Sequence, residues 1–277
     1  MKHILFIISL AFCLSAEAQI ITWKQHPVDG HLTGVTQMGA GKTVESMGTV
    51  KKIRKRYTAP NGKKYKRGAT GRVAKIMIKA QDQMSSVKEI IGHSPRVMRK
   101  NRPECELTNW FIDALMAKIE ELTGRHVDVG FANFGGVRVD MPEGDVFRDD
   151  IMSMFPFKNT LYHFTIKGKD LLELCDNLVK RGPEIFGGMK IVANKNKELI
   201  SVTINGEPID ENKIYGVATI NYLMEGSGWF RFGKYQIDGV DTHINVLDMM
   251  LPYVEEMTKQ GKEIEYKVDG RYTVIDN

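Results

Sequence analysis

The feature that most constrains the fold is a mixed succession of helical and strand patterns between Trp110 and Ile275. Apolar residues at helical spacing predict helices from Trp110 to Leu122, over Gly168–Val179 and over Asn245–Lys259. Alternating or continuously apolar runs predict strands at 127–133, 160–166, 189–193, 198–204, 213–220 and 271–275. Because strands and helices mix without strict alternation, the sequence predicts an α+β or mixed α/β layered domain.

Residues 1–18 have the pattern of a secretory signal peptide. A basic start precedes the apolar run Ile4–Leu14, and Ala16-Glu17-Ala18 supplies a small-residue cleavage site before Gln19. We therefore expect a mature chain that begins near Gln19 and resides in the periplasm or outside the cell. A lipoprotein signal ending at Cys13 is the alternative, which the bulky residue before that cysteine disfavours. No apolar run reaches the roughly 18–20 residues that a membrane-spanning helix needs.

Two cysteines, Cys105 and Cys175, remain after removal of the signal peptide. In an oxidising compartment they could pair, but two cysteines do not make a disulfide framework. A pair of buried free thiols is at least as compatible with the sequence. The spacing of cysteines and histidines does not match a zinc site.

The charge of the chain is unevenly distributed. Residues 49–80 contain twelve Lys and Arg and no Asp or Glu, so the rest of the chain holds 39 − 12 = 27 basic against 34 acidic residues. Such a basic segment could contact nucleic acid, an anionic surface or an acidic partner, although a solvated face is the simplest interpretation. We expect no specific nucleic-acid binding.

The composition and turns of the first part of the chain suggest an extension that precedes the main domain. Asn61-Gly62 between Tyr57 and Tyr65 predicts a hairpin, and a helical pattern begins near residue 72. We expect an N-terminal basic extension over residues 19–80 and the layered domain over residues 81–277.

Patterns that would indicate a phosphate loop or a metal centre are incomplete. Gly39-Ala40-Gly41-Lys42-Thr43 looks like the end of a P-loop, but Thr36 stands where that loop needs its first glycine. Asp29-Gly30-His31 and Asp241-Thr242-His243 each match an Asp-x-His metal pair, whereas a catalytic dinuclear site needs more oxygen and imidazole ligands. We therefore predict no metal site and no complete catalytic constellation in this chain.

An ordered series of motifs carries a family resemblance. Asn133-Phe134-Gly135-Gly136-Val137-Arg138 is followed by Phe155-Pro156-Phe157-Lys158-Asn159, then by Val202–Ile209 and Val217–Tyr222. In this order they resemble the C-terminal domain of 5′-nucleotidases. The resemblance runs from about Ile90 to Arg271 and implies the layered mixed-sheet fold of that domain type.

The resemblance implies a division of labour between two chains. In that family the C-terminal domain binds the nucleoside part of the substrate, and a separate N-terminal metallophosphatase domain holds two metals. This sequence resembles the stand-alone form of the C-terminal domain found in secreted bacterial proteins. The resemblance therefore implies a separate metallophosphatase polypeptide that carries the divalent metals, and no cofactor in this chain.

The family motifs also imply a set of substrate-binding residues. They are Arg102, Asn133, Gly135, Gly136, Arg138, Phe157, Asn159 and Tyr222. Glycines let a backbone approach a ligand closely, and an arginine offers a planar donor fork to phosphate or ribose oxygens. An aromatic ring stacks on a nucleobase, and an asparagine can read a base edge. No catalytic residue is implied.

Three positions depart from the family pattern. Phe134 replaces the first glycine of the family's triplet and is expected to narrow the site. Gly228 stands where the family has a ribose-binding Asp, so that contact is expected to be absent or moved. The upstream arginine aligns imprecisely, with Arg102 nearest and Arg99 as a second candidate.

The sequence thus predicts a nucleoside- or nucleotide-binding subunit of a split 5′-nucleotidase-type phosphoesterase that takes part in nucleotide catabolism. On this hypothesis the basic segment 51–72 is a docking surface for the metallophosphatase chain. The alternative is a non-enzymatic secreted protein that binds nucleosides or a polyanion. An independent hydrolase with an unrecognised site is a third hypothesis.

Overall fold

A computed structural model describes residues 33–34, 46–50, 56–66, 68–80, 86–226 and 231–276. Contacts between residues divide the chain into two units, Met1–Lys79 and Ala80–Asn277. The two units are described separately below.

The first unit contains a small antiparallel sheet and most of a helix. Its strands, in sheet order, are β1 (Thr49–Val50), β2 (Tyr57–Thr58) and β3 (Lys64–Tyr65). Gly62 has φ +82° in the turn between β2 and β3, and Tyr57 pairs with Tyr65 with their ring centroids 5.8 Å apart. The predicted hairpin is therefore confirmed. Helix α1 (Ala69–Ala80) follows, close to where the helical pattern was predicted.

The second unit mixes helices and strands, as the sequence predicts. Its helices are α2 (Glu106–Thr123), α3 (Arg148–Met154), α4 (Gly168–Arg181), α5 (Asn221–Met224) and α6 (Val246–Lys259). Its first strands are β4 (Ile90–Ser94), β5 (Val129–Ala132), β6 (Gly144–Phe147), β7 (Thr160–Lys167) and β8 (Ile185–Gly187). The later ones are β9 (Met189–Asn194), β10 (Leu199–Ile204), β11 (Glu207–Pro208), β12 (Ile214–Ile220), β13 (Asp238–Asn245) and β14 (Tyr272–Ile275).

A five-stranded sheet with the order β13-β7-β12-β5-β8 forms the centre of this unit. Strand β12 runs parallel to β5 and antiparallel to β7, and β13 also runs antiparallel to β7. Consequently β5, β12 and β13 end at the edge of the sheet where β7 begins. Strand β12 has a partner on each side, and six of its seven residues are buried, which explains its nearly continuous apolar sequence.

Helix α2 packs on this sheet and supplies much of the core. Leu107, Phe111 and Leu115 are buried at helical spacing, and the helix contacts β5, β8 and β12. Gly124 ends the helix with φ 63°, and its N–H donates to the carbonyl of Glu120. A glycine readily adopts this left-handed conformation, which explains why the helix ends one residue after the predicted Leu122.

The remaining sheets complete the layers. A four-stranded sheet has the order β11-β10-β9-β14, and a two-stranded sheet joins β4 to β6. Asn205 and Gly206 have φ 53° and 86° in the tight turn between β10 and β11. Helix α4 contacts β7 and β10, whereas α6 contacts β4 and α3.

The sequence patterns did not indicate seven elements of the second unit, which are β4, β6, β8, β11, β13, α3 and α5. Three of them show the reason. Strand β13 is an edge strand whose sequence contains Asp238, Asp241, His243 and Asn245, so an apolar alternation is missing. Strand β8 has three residues, and α3 is a seven-residue helix rich in polar side chains. Such elements are shaped by their partners in the fold rather than by a local pattern.

Cys105 and Cys175 are both buried and free, which decides between the two alternatives left open by the sequence. Within the part of the chain that is described, no helix combines the length and apolar character that crossing a membrane requires.

Candidate ligand-binding site

Four segments meet at one edge of the five-stranded sheet. Pairing of Ile220 with Leu161 and of Asn245 with Thr160 brings the ends of β12 and β13 to the start of β7. The N–H of Thr160 donates to Oδ1 of Asn221 at 3.1 Å, which ties α5 to this edge. In an open α/β sheet the carboxyl ends of parallel strands form the usual ligand crevice. The loop after β5 opens onto the same edge because β5 is parallel to β12.

The loop after β5 is a 3₁₀ turn, Phe134–Gly136, that begins at Asn133. The N–H of Gly136 donates to the carbonyl of Asn133 at 2.9 Å. A Cβ atom on Gly136 would lie 3.1 Å from Oδ1 of Asn133, closer than ordinary contact. The glycine therefore leaves room for this amide. Oδ1 of Asn133 is buried and has no hydrogen-bond partner among the residues that the structure describes.

A small cavity of about 20 Å³ lies beside this turn. Its lining consists of Phe111, Ala132, Asn133, Gly136, Phe155, Phe157, Asn159, Ile220 and Val246. The cavity has room for about one water molecule and not for a nucleobase. A planar ligand would have to lie over its rim.

Phe157 supplies an exposed aromatic surface at that rim. Its side chain is 46% exposed, and Cζ of Arg138 lies 5.8 Å from the ring centroid. Nη1 of Arg138 donates to the carbonyl of Gly135 at 3.1 Å, which links the guanidinium to the glycine turn. The carbonyl of Asn159 accepts a 2.9 Å hydrogen bond from the N–H of Val246, which fixes the segment after Phe157.

Tyr222 lies at the start of α5, two residues after β12 ends, and is 41% exposed. It directly follows Asn221, whose side chain accepts the N–H of Thr160. Sheet register therefore places Tyr222, in α5, and Phe157, in the loop before β7, at the same sheet edge. Tyr222 is not part of the cavity lining.

Arg102 is engaged by other parts of the protein. Its Nε donates to the carbonyl of Pro183 at 2.8 Å, and its Nη2 donates to Oε1 of Glu184 at 2.6 Å. Its Cζ also lies 4.2 Å from the ring centroid of Phe134. Nζ of Lys100 lies 4.8 Å from the same centroid. The ring of Phe134 thus lies next to two cations and packs against the core.

The structure places the predicted residues in three groups. Asn133, Gly136, Phe157 and Asn159 line the cavity, with Gly135 and Arg138 linked to them. Tyr222 lies in the neighbouring helix α5, and Arg102 is hydrogen-bonded to Glu184. The second arginine candidate, Arg99, is exposed, and Gly228 lies outside the described residues.

Sequence reasoning missed three residues of this region, which are Asn221, Glu184 and Lys100. Asn221 belongs to the Val217–Tyr222 motif, so its position in the motif was an available signal. Glu184 is 50 residues from Phe134 along the chain, and nothing near it in the sequence indicates the contact.

Metal-ligating side chains do not gather in the region described. Among these residues, no group of three or more His, Cys, Asp or Glu side chains could hold a metal ion. Oδ1 of Asp241 lies 3.6 Å from Nδ1 of His243. The other carboxylate oxygen of Asp241, Oδ2, accepts a 2.9 Å hydrogen bond from Oγ1 of Thr160. The Asp241–His243 pair therefore belongs to the hydrogen bonding of the sheet edge. Asp29, His31 and the segment 39–43 lie outside the described residues.

Comparison with known proteins finds one matching family. The profile of the family described as 5′-nucleotidase, C-terminal domain, matches residues 84–234, which is more than half of the 277 residues. This range includes the turn after β5, Phe157 and Tyr222.

Individual relatives match over part of their own length. A NAD 5′-nucleotidase of Haemophilus influenzae is 29% identical over 191 residues, covering 60% of this chain and 31% of the relative. An apyrase of Tabanus yao is 28% identical over 215 residues, covering 68% of this chain and 38% of the relative. The chain thus spans about a third of the length of these two relatives.

A solved structure shares the fold. The crystal structure of a 5′-nucleotidase precursor from Thermus thermophilus superposes with a TM-score of 0.63 and 22% sequence identity. The similarity covers 74% of this chain and 43% of the other. The mixed α/β architecture predicted from the sequence is therefore confirmed.

Proposed function

The chain belongs to the 5′-nucleotidase C-terminal domain family, and on that premise we propose that it binds the nucleoside moiety of a nucleotide. One observation carries this proposal: the exposed ring of Phe157 and the buried, unpaired amide oxygen of Asn133 line the same small cavity. A buried polar atom without a partner is costly, so a ligand donor at this point would be stabilising.

The chemistry of the site suits a nucleobase. The Phe157 ring offers a stacking surface, and the guanidinium of Arg138 lies over that ring. Oδ1 of Asn133 can accept a hydrogen bond from a water molecule in the cavity, and that water can in turn contact the edge of a base that lies over the rim. Asn159 supplies a second amide on the cavity wall.

Tyr222 is the proposed second ring of an aromatic clamp. The register of β7 and β12 puts the start of α5, which carries Tyr222, at the sheet edge near Phe157, and both side chains are exposed. Two rings that hold a base between them stand roughly 7 Å apart, twice the usual contact distance. Such a clamp supports affinity with little base preference, because every base has a π-face.

Phosphate-ester hydrolysis is proposed to require a separate metallophosphatase polypeptide that carries two divalent metals. The groups at the sheet edge are amides, aromatic rings and a guanidinium, which bind and orient a ligand. Hydrolysis at neutral pH also needs an activated water and neutralisation of the phosphate, both of which a pair of metals supplies. The basic segment 51–72 is the proposed docking surface, and the periplasm or the extracellular space the proposed location after cleavage near Ala18.

Calorimetry with adenosine and guanosine tests the binding proposal. Phe157→Ala should weaken the binding of both nucleosides by about 1–3 kcal/mol, and Tyr222→Ala should do the same. Tyr222→Phe should have little effect because it keeps the ring. Ile237→Ala is a suitable control, since this exposed residue pairs with Thr165 at the far end of β7. Equal affinity of the wild type and the Phe157→Ala variant would refute the clamp.

A phosphatase assay tests the division of labour. The mature chain with adenosine monophosphate and Mn²⁺ or Zn²⁺ should show no turnover, and a secreted metallophosphatase from the same operon should restore it. Turnover by the chain alone that survives repurification and disappears on mutation of this chain would indicate an independent hydrolase. Nucleoside binding without any partner-dependent hydrolysis would indicate a non-enzymatic binding protein.

A further inference from the structure

A carboxylate of the protein fills an anion-binding position next to the proposed site. Oε2 of Glu184 accepts a hydrogen bond from the N–H of Phe134, the first residue of the turn that follows Asn133. Oε1 of the same side chain accepts a 2.6 Å hydrogen bond from Nη2 of Arg102. A backbone N–H and a guanidinium are donors that proteins use to bind phosphate and carboxylate groups. Glu184 therefore occupies donors that an anionic ligand group would otherwise use.

The two neighbouring cations are also held by the protein. Arg102 contacts the Phe134 ring and the carbonyl of Pro183, while Lys100 lies over the same ring and donates to the carbonyl of Val137 at 2.6 Å. The Glu184 side chain is 15% exposed, so water screens its charge only in part.

We propose that Glu184 excludes anionic ligand groups from the position next to the Phe134 N–H and Arg102. The site then accepts the uncharged nucleoside part of a nucleotide, and the phosphate stays outside it. The inference rests on the proposed nucleoside site. A phosphate monoester carries about −1.5 to −2 charges at neutral pH, and near Glu184 it would meet a like charge and find the local donors occupied. A ribose or a base meets no such repulsion. The phosphate would then remain available to metals on another chain.

Calorimetric titrations with adenosine and adenosine 5′-monophosphate test this proposal. The mature wild-type chain should bind the monophosphate no more tightly than the nucleoside. Glu184→Gln keeps the shape and an acceptor for the Phe134 N–H but removes the charge. This variant should bind the monophosphate about fivefold more tightly, which corresponds to about 1 kcal/mol for unit charges about 4 Å apart in water. Its affinity for adenosine should stay within about twofold of the wild-type value.

Two further variants serve as controls. Glu184→Asp keeps the negative charge, so it should retain the wild-type ratio of the two affinities. Glu207→Gln removes one charge from β11, an exposed edge strand of the four-stranded sheet, and should also leave the ratio unchanged.

The salt dependence of the two titrations adds a second measurement. Salt screens the attraction of the phosphate to the neighbouring cations, so the affinity for the monophosphate relative to adenosine should fall with added salt, and it should fall more steeply in Glu184→Gln than in the wild type. An equal salt dependence in the two proteins, or an unchanged ratio in Glu184→Gln with normal adenosine binding, would overturn the role of Glu184 alone. Absence of adenosine binding in the wild type would overturn the nucleoside site and this inference together.

Discussion

Replacing Arg271 should destabilise the second unit strongly. The side chain is 6% exposed and makes five hydrogen bonds. Two go to the carboxylate of Asp113 in α2, two to the carboxylate of Asp269, and one to the carbonyl of Phe186 in β8. Arg271 thus joins the segment before β14 to a helix and to the five-stranded sheet. In Arg271→Met the apolar stem is retained while every one of these contacts is lost.

The expected loss follows from what remains behind. Removing one member of a buried ion pair typically costs about 3–5 kcal/mol, because the remaining charge is left without compensation. Three carboxylates remain behind. Those of Asp113 and Asp269 are 31% and 38% exposed, so water can partly rehydrate them, whereas that of Glu104, whose Oε1 lies 3.9 Å from Nε of Arg271, is 6% exposed. We therefore expect a decrease of about 3–5 kcal/mol in the free energy of unfolding.

Urea unfolding of the mature protein, followed by circular dichroism, measures this change. Arg125→Met is the matched control, because Nη1 of Arg125 contacts Oδ2 of Asp238 at 2.6 Å on the surface. An exposed pair of this kind contributes at most about 1 kcal/mol. If Arg271→Met lowered the unfolding free energy no more than Arg125→Met does, the reasoning about the buried pair would be wrong.

Three other predictions concern reactivity, pH and docking. Burial raises the pKa of Cys175 to about 12, so in a Cys105→Ala variant the remaining thiol should react with a disulfide reagent after unfolding but not in the native protein. Hydrogen bonds from Arg271 hold the pKa of Asp269 below its ordinary value. The ionised Asp269 carboxylate therefore stabilises the folded protein fully above the unfolded pKa of about 3.9, and this stabilisation is lost as the pH falls through the folded pKa. In urea unfolding at decreasing pH, the free energy of unfolding of Asp269→Asn should fall less than that of the wild type. Replacing Arg56 and Lys64 by Glu should abolish the co-sedimentation of this chain with an acidic metallophosphatase chain at low salt. Unchanged co-sedimentation would indicate that the basic segment is only a solvated surface.

Much of the candidate site follows from an ordered set of motifs in the sequence. The turn after β5, Phe157 and Asn159 were predicted to act together, and the structure gathers them around one cavity. The clamp between Phe157 and Tyr222 stays a prediction. Proximity along the chain explains part of this grouping, since only a short strand, β6, and a short helix, α3, separate two of the motifs.

The hydrogen bonds of Arg102 and its ion pair with Glu184 could not be predicted in the same way. The ion pair depends on Glu184, which is 82 residues away along the chain in the segment between α4 and β8. The polarity of a sequence shows that a charged residue is present but does not identify its partner. Strand order decides that, because β8 pairs with β5 and brings Glu184 to the turn that follows β5.

Local patterns determined the longer helices α1, α2, α4 and α6, most strands of the two larger sheets, and the turns at Asn61-Gly62 and Gly124. They did so because helical and strand periodicity, and the backbone freedom of glycine, act within a few residues. Strands β8 and β13 and the contacts of Glu184 were decided by the tertiary structure alone. A short or polar segment has little intrinsic preference, and its conformation and its partners are set by the neighbours that the completed sheet brings to it.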